Sequence, residues 1–141
     1  MGRRSHTPSR ILQGWLTTLE CTTEVRVAMS YRPDDPYAVT VDIHKTHGVG
    51  VLRWVFARDL LFEGMSASRD HPAGPDRVRV WPDTVDGIQK VHIALISSTI
   101  CLVELLRGDV LGFLVDTLQV VPTGTESRFL DIEAGLRRLL A

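Results

Sequence analysis

The chain has 141 residues, with 16 basic and 17 acidic side chains and a net charge of −1 at pH 7. Without an excess of positive charge, the composition gives no support to a general attraction to nucleic acid or to an anionic membrane. Hydrophobic residues make up 44% of the chain, which is typical of a folded domain, and a chain of this length can bury a core without metal ions or disulfides.

The first 14 residues are predicted to be a flexible arm, because Ser, Pro, Arg and Gly dominate there and only Ile11 and Leu12 could be buried. The basic start is not followed by an apolar signal segment. The sequence also contains no run of about 18 apolar residues, the length needed to span a bilayer. Cys21 and Cys101 are interpreted as reduced structural thiols. We therefore expect a cytoplasmic protein whose single domain covers residues 15–141.

Strict alternation of apolar and polar residues predicts a long strand from Leu19 to Met29. Its expected buried face is Leu19, Cys21, Thr23, Val25, Val27 and Met29. Two more strands follow, Ala38 to His44 and Val49 to Phe56, with turns between them. The short connections predict an antiparallel meander.

The period of the apolar pattern then changes from two residues to that of a helix. Residues 57–63 are predicted to form a short helix, which ends where Gly64 takes a left-handed conformation. A loop over residues 65–76 leads to strands at Val78 to Trp81, which Pro82 is expected to end, at Val91 to Ile96, and at Ile100 to Leu105. A turn is expected around Asp83 to Gly87.

The last third is predicted to be helical. One helix is expected to begin at Asp109 and to bury Leu111, Leu114, Val115 and Leu118. A second is expected to begin at Asp131 and to bury Ile132, Leu136, Leu139 and Leu140. The predicted fold class is α+β: antiparallel β-sheets of about six strands, covered by a short middle helix and two C-terminal helices.

The sequence predicts no catalytic, metal-binding or cofactor-binding residues. His44 and His47 are three residues apart, but no Cys or carboxylate stands near them at the spacing of a zinc site. No nucleophile elbow and no glycine-rich phosphate loop is present. Proteins that bind single-stranded nucleic acid need a basic groove with exposed aromatic residues. This chain has only two lysines, and Trp54 and Phe56 share a strand face that is expected to belong to the core.

Several segments resemble the SsgA-like proteins of sporulating actinobacteria, in the order that this family shows. The most specific segment runs from Trp54 to Gly64, and the others are residues 35–39, 78–82, 91–95, 121–126 and 130–133. The resemblance covers residues 15–141. The chain departs from the family pattern in two places. One is the N-terminal arm, and the other is Ser97-Ser98-Thr99-Ile100, which replaces the family's Ser-Pro-x-Gly turn.

The resemblance implies a non-enzymatic role in sporulation-specific cell division, in which such proteins help to place the tubulin-like protein FtsZ at the cell septum. It also implies a homotrimer and a fold similar to the Whirly single-strand nucleic-acid-binding proteins. The implied partners are FtsZ or other SsgA-like proteins, with no cofactor, no membrane insertion and no nucleic acid. The alternative function is single-stranded nucleic-acid binding, suggested by the Whirly-like fold alone.

Four residues are candidate structural or interface positions: Trp54, Arg58, Asp59 and Trp81. Arg58 and Asp59 stand where a strand meets a helix, so we expect them to order that corner or to make a subunit contact. Trp81 is expected to pack at its strand end. Oligomerisation is also expected because the edge strands of an open sheet leave backbone groups that need protection.

Overall fold

One antiparallel sheet dominates the computed structural model, which describes residues 7–46, 50–74 and 76–130. Its strands are β1 (Ser9–Thr17), β2 (Thr22–Ser30), β3 (Ala38–Lys45), β4 (Val51–Ala57), β5 (Val78–Val85), β6 (Ile88–Ile96) and β7 (Ile100–Leu106). Helix α1 (Arg58–Gly64) follows β4, helix α2 (Arg107–Val120) follows β7, and a 3₁₀ turn covers Glu126–Arg128. The strand order is β4-β3-β2-β1-β7-β6-β5. The predicted α+β class is confirmed.

The expected six strands are one too few, because residues 9–14 of the predicted flexible arm belong to β1. This strand lies in the middle of the sheet, between β2 and β7. Leu12 and Leu16 are buried in alternation with exposed residues. Gly14 lies between them, where a Cβ atom would stand 2.6 Å from Leu105 Cδ2 and 2.7 Å from the Glu104 carbonyl, so only glycine fits. Residues 1–6 of the predicted arm lie outside the described residues.

The predicted meander of β2, β3 and β4 is confirmed, and Val25, Val27 and Met29 are buried as expected. The first strand of the meander begins later than predicted. Leu19 and Cys21 lie in an exposed turn that a hydrogen bond from the Thr18 N–H to the Cys21 carbonyl closes at 2.9 Å. Cys21 is therefore not a buried thiol.

Strand β5 continues through Pro82, which lies opposite Val91, and does not end there as predicted. Proline is compatible with this position because β5 is an edge strand and part of its backbone has no neighbour to bond. The turn that follows is shorter than expected. It is formed by Asp86 and Gly87, which both have positive φ angles, as a tight hairpin turn requires.

Helix α1 ends at Gly64 as predicted, but for a different physical reason. Gly64 does not have a positive φ angle. A Cβ atom at Gly64 would stand 2.2 Å from Val80 Cγ1, so the missing side chain lets α1 lie directly against β5. Because α1 also follows β4 in the chain, it joins the two edge strands, and the sheet is rolled around its core.

Helix α2 fills the concave inner face of this rolled sheet, against β1, β6 and β7. It begins at Arg107, before the predicted start at Asp109. Its buried residues are Val110, Phe113, Leu114 and Thr117. Of the predicted stripe, Leu114 is buried, Leu111 is half-buried against the core and Leu118 is half-buried, whereas Val115 is 51% exposed and was predicted wrongly.

The helix predicted from Asp131 lies outside the described residues. Neither α1 nor α2 is long and apolar enough to span a bilayer, and the described residues contain no other helix that could.

Candidate interaction surface

The predicted interface residues lie on both edges of the sheet. Trp54 is on β4, Arg58 and Asp59 begin α1, and Trp81 is on β5. Asp59 is exposed. Trp54 is half-buried against the core, as expected, and its Nε1 atom has no hydrogen-bond partner among the described residues.

Arg58 is a charged side chain in the core, with only 1% of its surface exposed. Its Nη1 donates to the Val121 carbonyl at 2.7 Å, and its Nη2 donates to Glu126 Oε1 at 2.9 Å. The guanidinium also lies over the Tyr31 ring, 4.9 Å from the centroid. Arg58 therefore ties the start of α1 to the end of α2, to the 3₁₀ turn and to the loop after β2.

The electrostatics of this corner follow from burial and pairing. Hydrogen bonding by its own backbone N–H, together with the Arg58 guanidinium, holds the pKa of Glu126 below its usual value. Burial raises the pKa of Tyr31 to about 12, and its hydroxyl donates to the Pro36 carbonyl at 2.7 Å. These contacts place Arg58 at the corner, and its role in ordering the corner stays a prediction. A subunit contact at Arg58 or Asp59 stays a prediction.

A second arrangement lies on the outer face of the sheet, which is the face turned away from α2. One cross-strand row there passes through five neighbouring strands: Trp81, His92, Glu104, Trp15 and Glu24. Trp15 in this row is 44% exposed. Sequence reasoning missed Trp15 and Glu104 because β1 was not expected, although Trp15 alternates with the buried Leu12, Gly14 and Leu16.

The buried end of this row is a hydrogen-bonded network. His92 Nε2 lies 3.1 Å from Glu104 Oε2, and His92 Nδ1 lies 3.7 Å from Asp83 Oδ2. Lys90 donates to the other oxygen of Glu104. Burial raises the pKa of Glu104, but the hydrogen bonds from Lys90 and His92 outweigh this effect and leave the pKa below its usual value.

Trp81, on β5, packs against the end of this network. Its ring meets the His92 ring edge to face, with centroids 5.5 Å apart. His92 was predicted to point outward, and it does lie on the outer face, but it is only 8% exposed. These contacts fix the polar half of the row in one geometry.

The depression beside Trp15 is small. It has a volume of about 250 Å³ and is lined by Gln13, Trp15, Lys90, Glu104, Leu105 and Leu106. Small-molecule pockets usually enclose about 300 to 1,000 Å³. Within the described ranges no three His, Cys, Asp or Glu side chains are grouped as a metal site would require. The depression beside Trp15 therefore fits part of a contact surface for another protein better than a ligand pocket.

Comparison with known proteins identifies the family. A model of the family described as "Streptomyces sporulation and cell division protein, SsgA" matches residues 25–126. The chain belongs to the SsgA family. The matched segment of this SsgA-family chain contains Arg58, Glu126 and the network around His92, and it begins after Trp15.

Individual relatives agree with this assignment. The sporulation-specific cell division protein SsgB of Frankia casuarinae is 38% identical over 82% of this chain and 78% of its own. The protein of the same name from Streptomyces coelicolor is 37% identical over 89% of this chain and 97% of its own. The chain is thus similar to proteins of sporulation and cell division.

Solved structures show the same fold. A structure from work on SsgB mutations that correlate with longitudinal cell division in sporulating Streptomyces coelicolor has a TM-score of 0.78, with 38% identity over 90% of this chain and 99% of that chain. The crystal structure of an SsgA-like sporulation-specific cell division protein from Thermobifida fusca has a TM-score of 0.83, with 26% identity over 98% of both chains.

Proposed function

We propose that this protein is a non-enzymatic scaffold of sporulation-specific cell division. It recruits or positions FtsZ at the septum through protein–protein contacts, as a cytoplasmic protein that assembles into a homotrimer. The single observation that carries this proposal is the family match together with SsgB relatives that align over most of both chains.

The outer face around Trp15 is the surface that we assign to the partner. Trp15, Ile11 and Leu106 are exposed there, and the depression that Trp15 and Leu106 line also contains Lys90 and Glu104. Protein interfaces favour an aromatic anchor surrounded by polar residues, and tryptophan is enriched among the residues that contribute most to binding. Because the network around His92 is fixed, this surface loses little conformational freedom on binding.

The test is binding of the purified protein to purified FtsZ, measured with FtsZ polymers that are sedimented in the presence of GTP. Trp15→Ala is expected to weaken binding at least tenfold, on the scale of an interface anchor. Tyr37→Ala is the matched control, since Tyr37 is a comparably exposed aromatic residue that lies in the loop before β3. Thermal melting of each variant checks that the fold is retained.

Three results would contradict the proposal. Absence of FtsZ binding by the unmodified protein would overturn the partner, and equal binding by the Trp15 variant would overturn the surface. Binding of labelled single-stranded DNA that weakens steeply with salt would favour the nucleic-acid alternative.

A further inference from the structure

Strand β4 forms an open edge of the sheet. Its neighbour in the sheet is β3, and the described residues place no strand on its other side. The Arg58 N–H donates to the Tyr37 carbonyl, toward β3. Since backbone groups alternate sides along a strand, the N–H and C=O groups of Val51, Arg53 and Val55 point away from β3.

The opposite edge, β5, is protected in two ways. Ala73 and Val80 exchange two backbone hydrogen bonds, at 2.8 and 2.9 Å, which satisfy the outer side of β5 near its start. Pro82 lacks an N–H group and cannot extend the ladder. Strand β4 contains neither proline nor glycine.

The side chains of β4 also favour pairing. Val51 and Val55 are 53% and 57% exposed, and β-branched residues favour sheet formation. The only charged residue of the strand, Arg53, is held by Asp42 on β3 through two hydrogen bonds of 2.7 and 3.0 Å. The edge is therefore apolar, with its one charge already paired, whereas proteins usually protect an exposed edge with unpaired charge or proline.

We propose that β4 pairs with β4 of a second copy of this chain, in an antiparallel register centred on Trp54. This register pairs all seven residues of the strand, and it places Arg53 opposite Val55 of the second copy. A register shifted by one residue toward the start of the strand would place the two Arg53 side chains directly opposite each other, which like charges disfavour. The strand is thus self-complementary, and a second copy is the occupant that fits it.

The contact is small, because seven residues of strand extend only about 23 Å. A stable interface buries about 800 Å² on each partner. We therefore expect a concentration-dependent contact that joins two of the proposed homotrimers through their β4 edges and so doubles the mass. The surface at Trp15 lies on β1, which β2 and β3 separate from β4, so FtsZ binding and β4 pairing can fail independently.

A charge series at Val55 tests the pairing by sedimentation velocity over a range of protein concentrations. Val55→Lys is expected to weaken the doubling at least tenfold, because it places a second positive charge opposite Arg53. Val55→Glu is expected to retain the doubling. Val115→Lys changes an equally exposed valine on α2 and is the matched control. Equal weakening by both charges at position 55, or no doubling in the unmodified protein, would overturn the proposal.

The register is tested by disulfide formation between chains that lack Cys21 and Cys101. Chains with Arg53→Cys are mixed with an equal amount of chains with Val55→Cys and oxidised. Directly opposite residues are about 5.5 Å apart, within disulfide reach, whereas pairs offset by two residues are about 8 Å apart. Mixed dimers are therefore expected in excess of either homodimer. A statistical mixture, or no cross-link, contradicts the register.

Amide hydrogen exchange of the unmodified protein gives a readout that needs no variant. In dilute solution the amides of Arg53 and Val55 should exchange fast, while those of Trp54 and Phe56 are protected by β3. At high concentration Arg53 and Val55 should become protected. Unchanged exchange at these two amides would contradict pairing, and protection that appears only when a division protein is added would assign the edge to that protein instead.

Discussion

Arg58 shows at the level of one residue why a charge can be retained in the core. Burying a guanidinium is costly unless its donors are satisfied. Here Nη1 donates to a carbonyl at the end of α2 and Nη2 to the Glu126 carboxylate, while Nε has no partner among the described residues. The helix dipole adds to this, because the carbonyl end of a helix attracts positive charge. The same side chain holds segments that are 68 residues apart in the chain.

Arg58→Met is expected to lower the free energy of unfolding by about 3 kcal/mol, because it leaves the buried carboxylate without its partner. Urea denaturation at pH 7 measures this change. Arg128→Met, which alters an exposed arginine in the 3₁₀ turn, should change stability by less than about 0.5 kcal/mol. The double variant with Glu126→Gln should recover part of the loss, and a single variant as stable as the control would refute the role of Arg58.

The sequence allowed half of this site to be predicted. Arg58 stands at a visible boundary between a strand and a helix, so a role at that corner could be expected. Its partner Glu126 could not, because nothing in a single sequence relates positions so far apart. Trp15 was missed for a different reason: the polar residues around it favoured an arm, and the alternation of Leu12, Gly14 and Leu16 contains a glycine where a large apolar residue is usual.

At the scale of whole elements, the packing of α1 on β5 depends on Gly64. Gly64→Ala should destabilise the fold by about 1 to 3 kcal/mol, because the added methyl group would overlap Val80 and push the helix away. Thermal or urea unfolding measures the effect, and Val80→Ala in the same chain should restore part of it. Gly108→Ala in α2 is the control, since no atom lies within 4 Å of its added carbon. If both glycine variants behave alike, the close contact is not what requires glycine.

The elements differ in how far their sequence specifies them. In β2 only one face is apolar, so alternation alone identified Val25, Val27 and Met29 as buried. In α2 two adjacent stripes are apolar, and the choice between them depends on the strands that the helix covers. Strand β5 was predicted too short because proline usually ends a strand, and its edge position, which makes Pro82 acceptable, follows only from the complete sheet.

At the scale of the molecule, acid stability should depend on carboxylates that are paired in the folded state. The pKa values of Asp42, Glu104 and Glu126 lie below their usual values, mainly through hydrogen bonds. The unfolded chain therefore binds more protons in acid, so the stability from these groups is present above about pH 4.5 and is lost as the pH falls below it.

Glu104→Gln should flatten this dependence, because the variant has no carboxyl group to protonate at that position. The free energy of unfolding, measured at pH 6, 4 and 3, should fall less steeply than in the unmodified protein. Glu63→Gln, at an exposed position on α1, is the control and should leave the slope unchanged. Equal slopes for both variants would show that the network around His92 does not contribute to acid stability.

The unequal edges of the sheet have a consequence for assembly. A molecule that could accept a strand on both sides would add copies without end and form fibres. Here Ala73 and Pro82 close one side, so each pairing across β4 joins the sheets of two chains and goes no further. A protein built in this way can be concentrated in one narrow zone of the cell without forming a continuous sheet that runs from chain to chain.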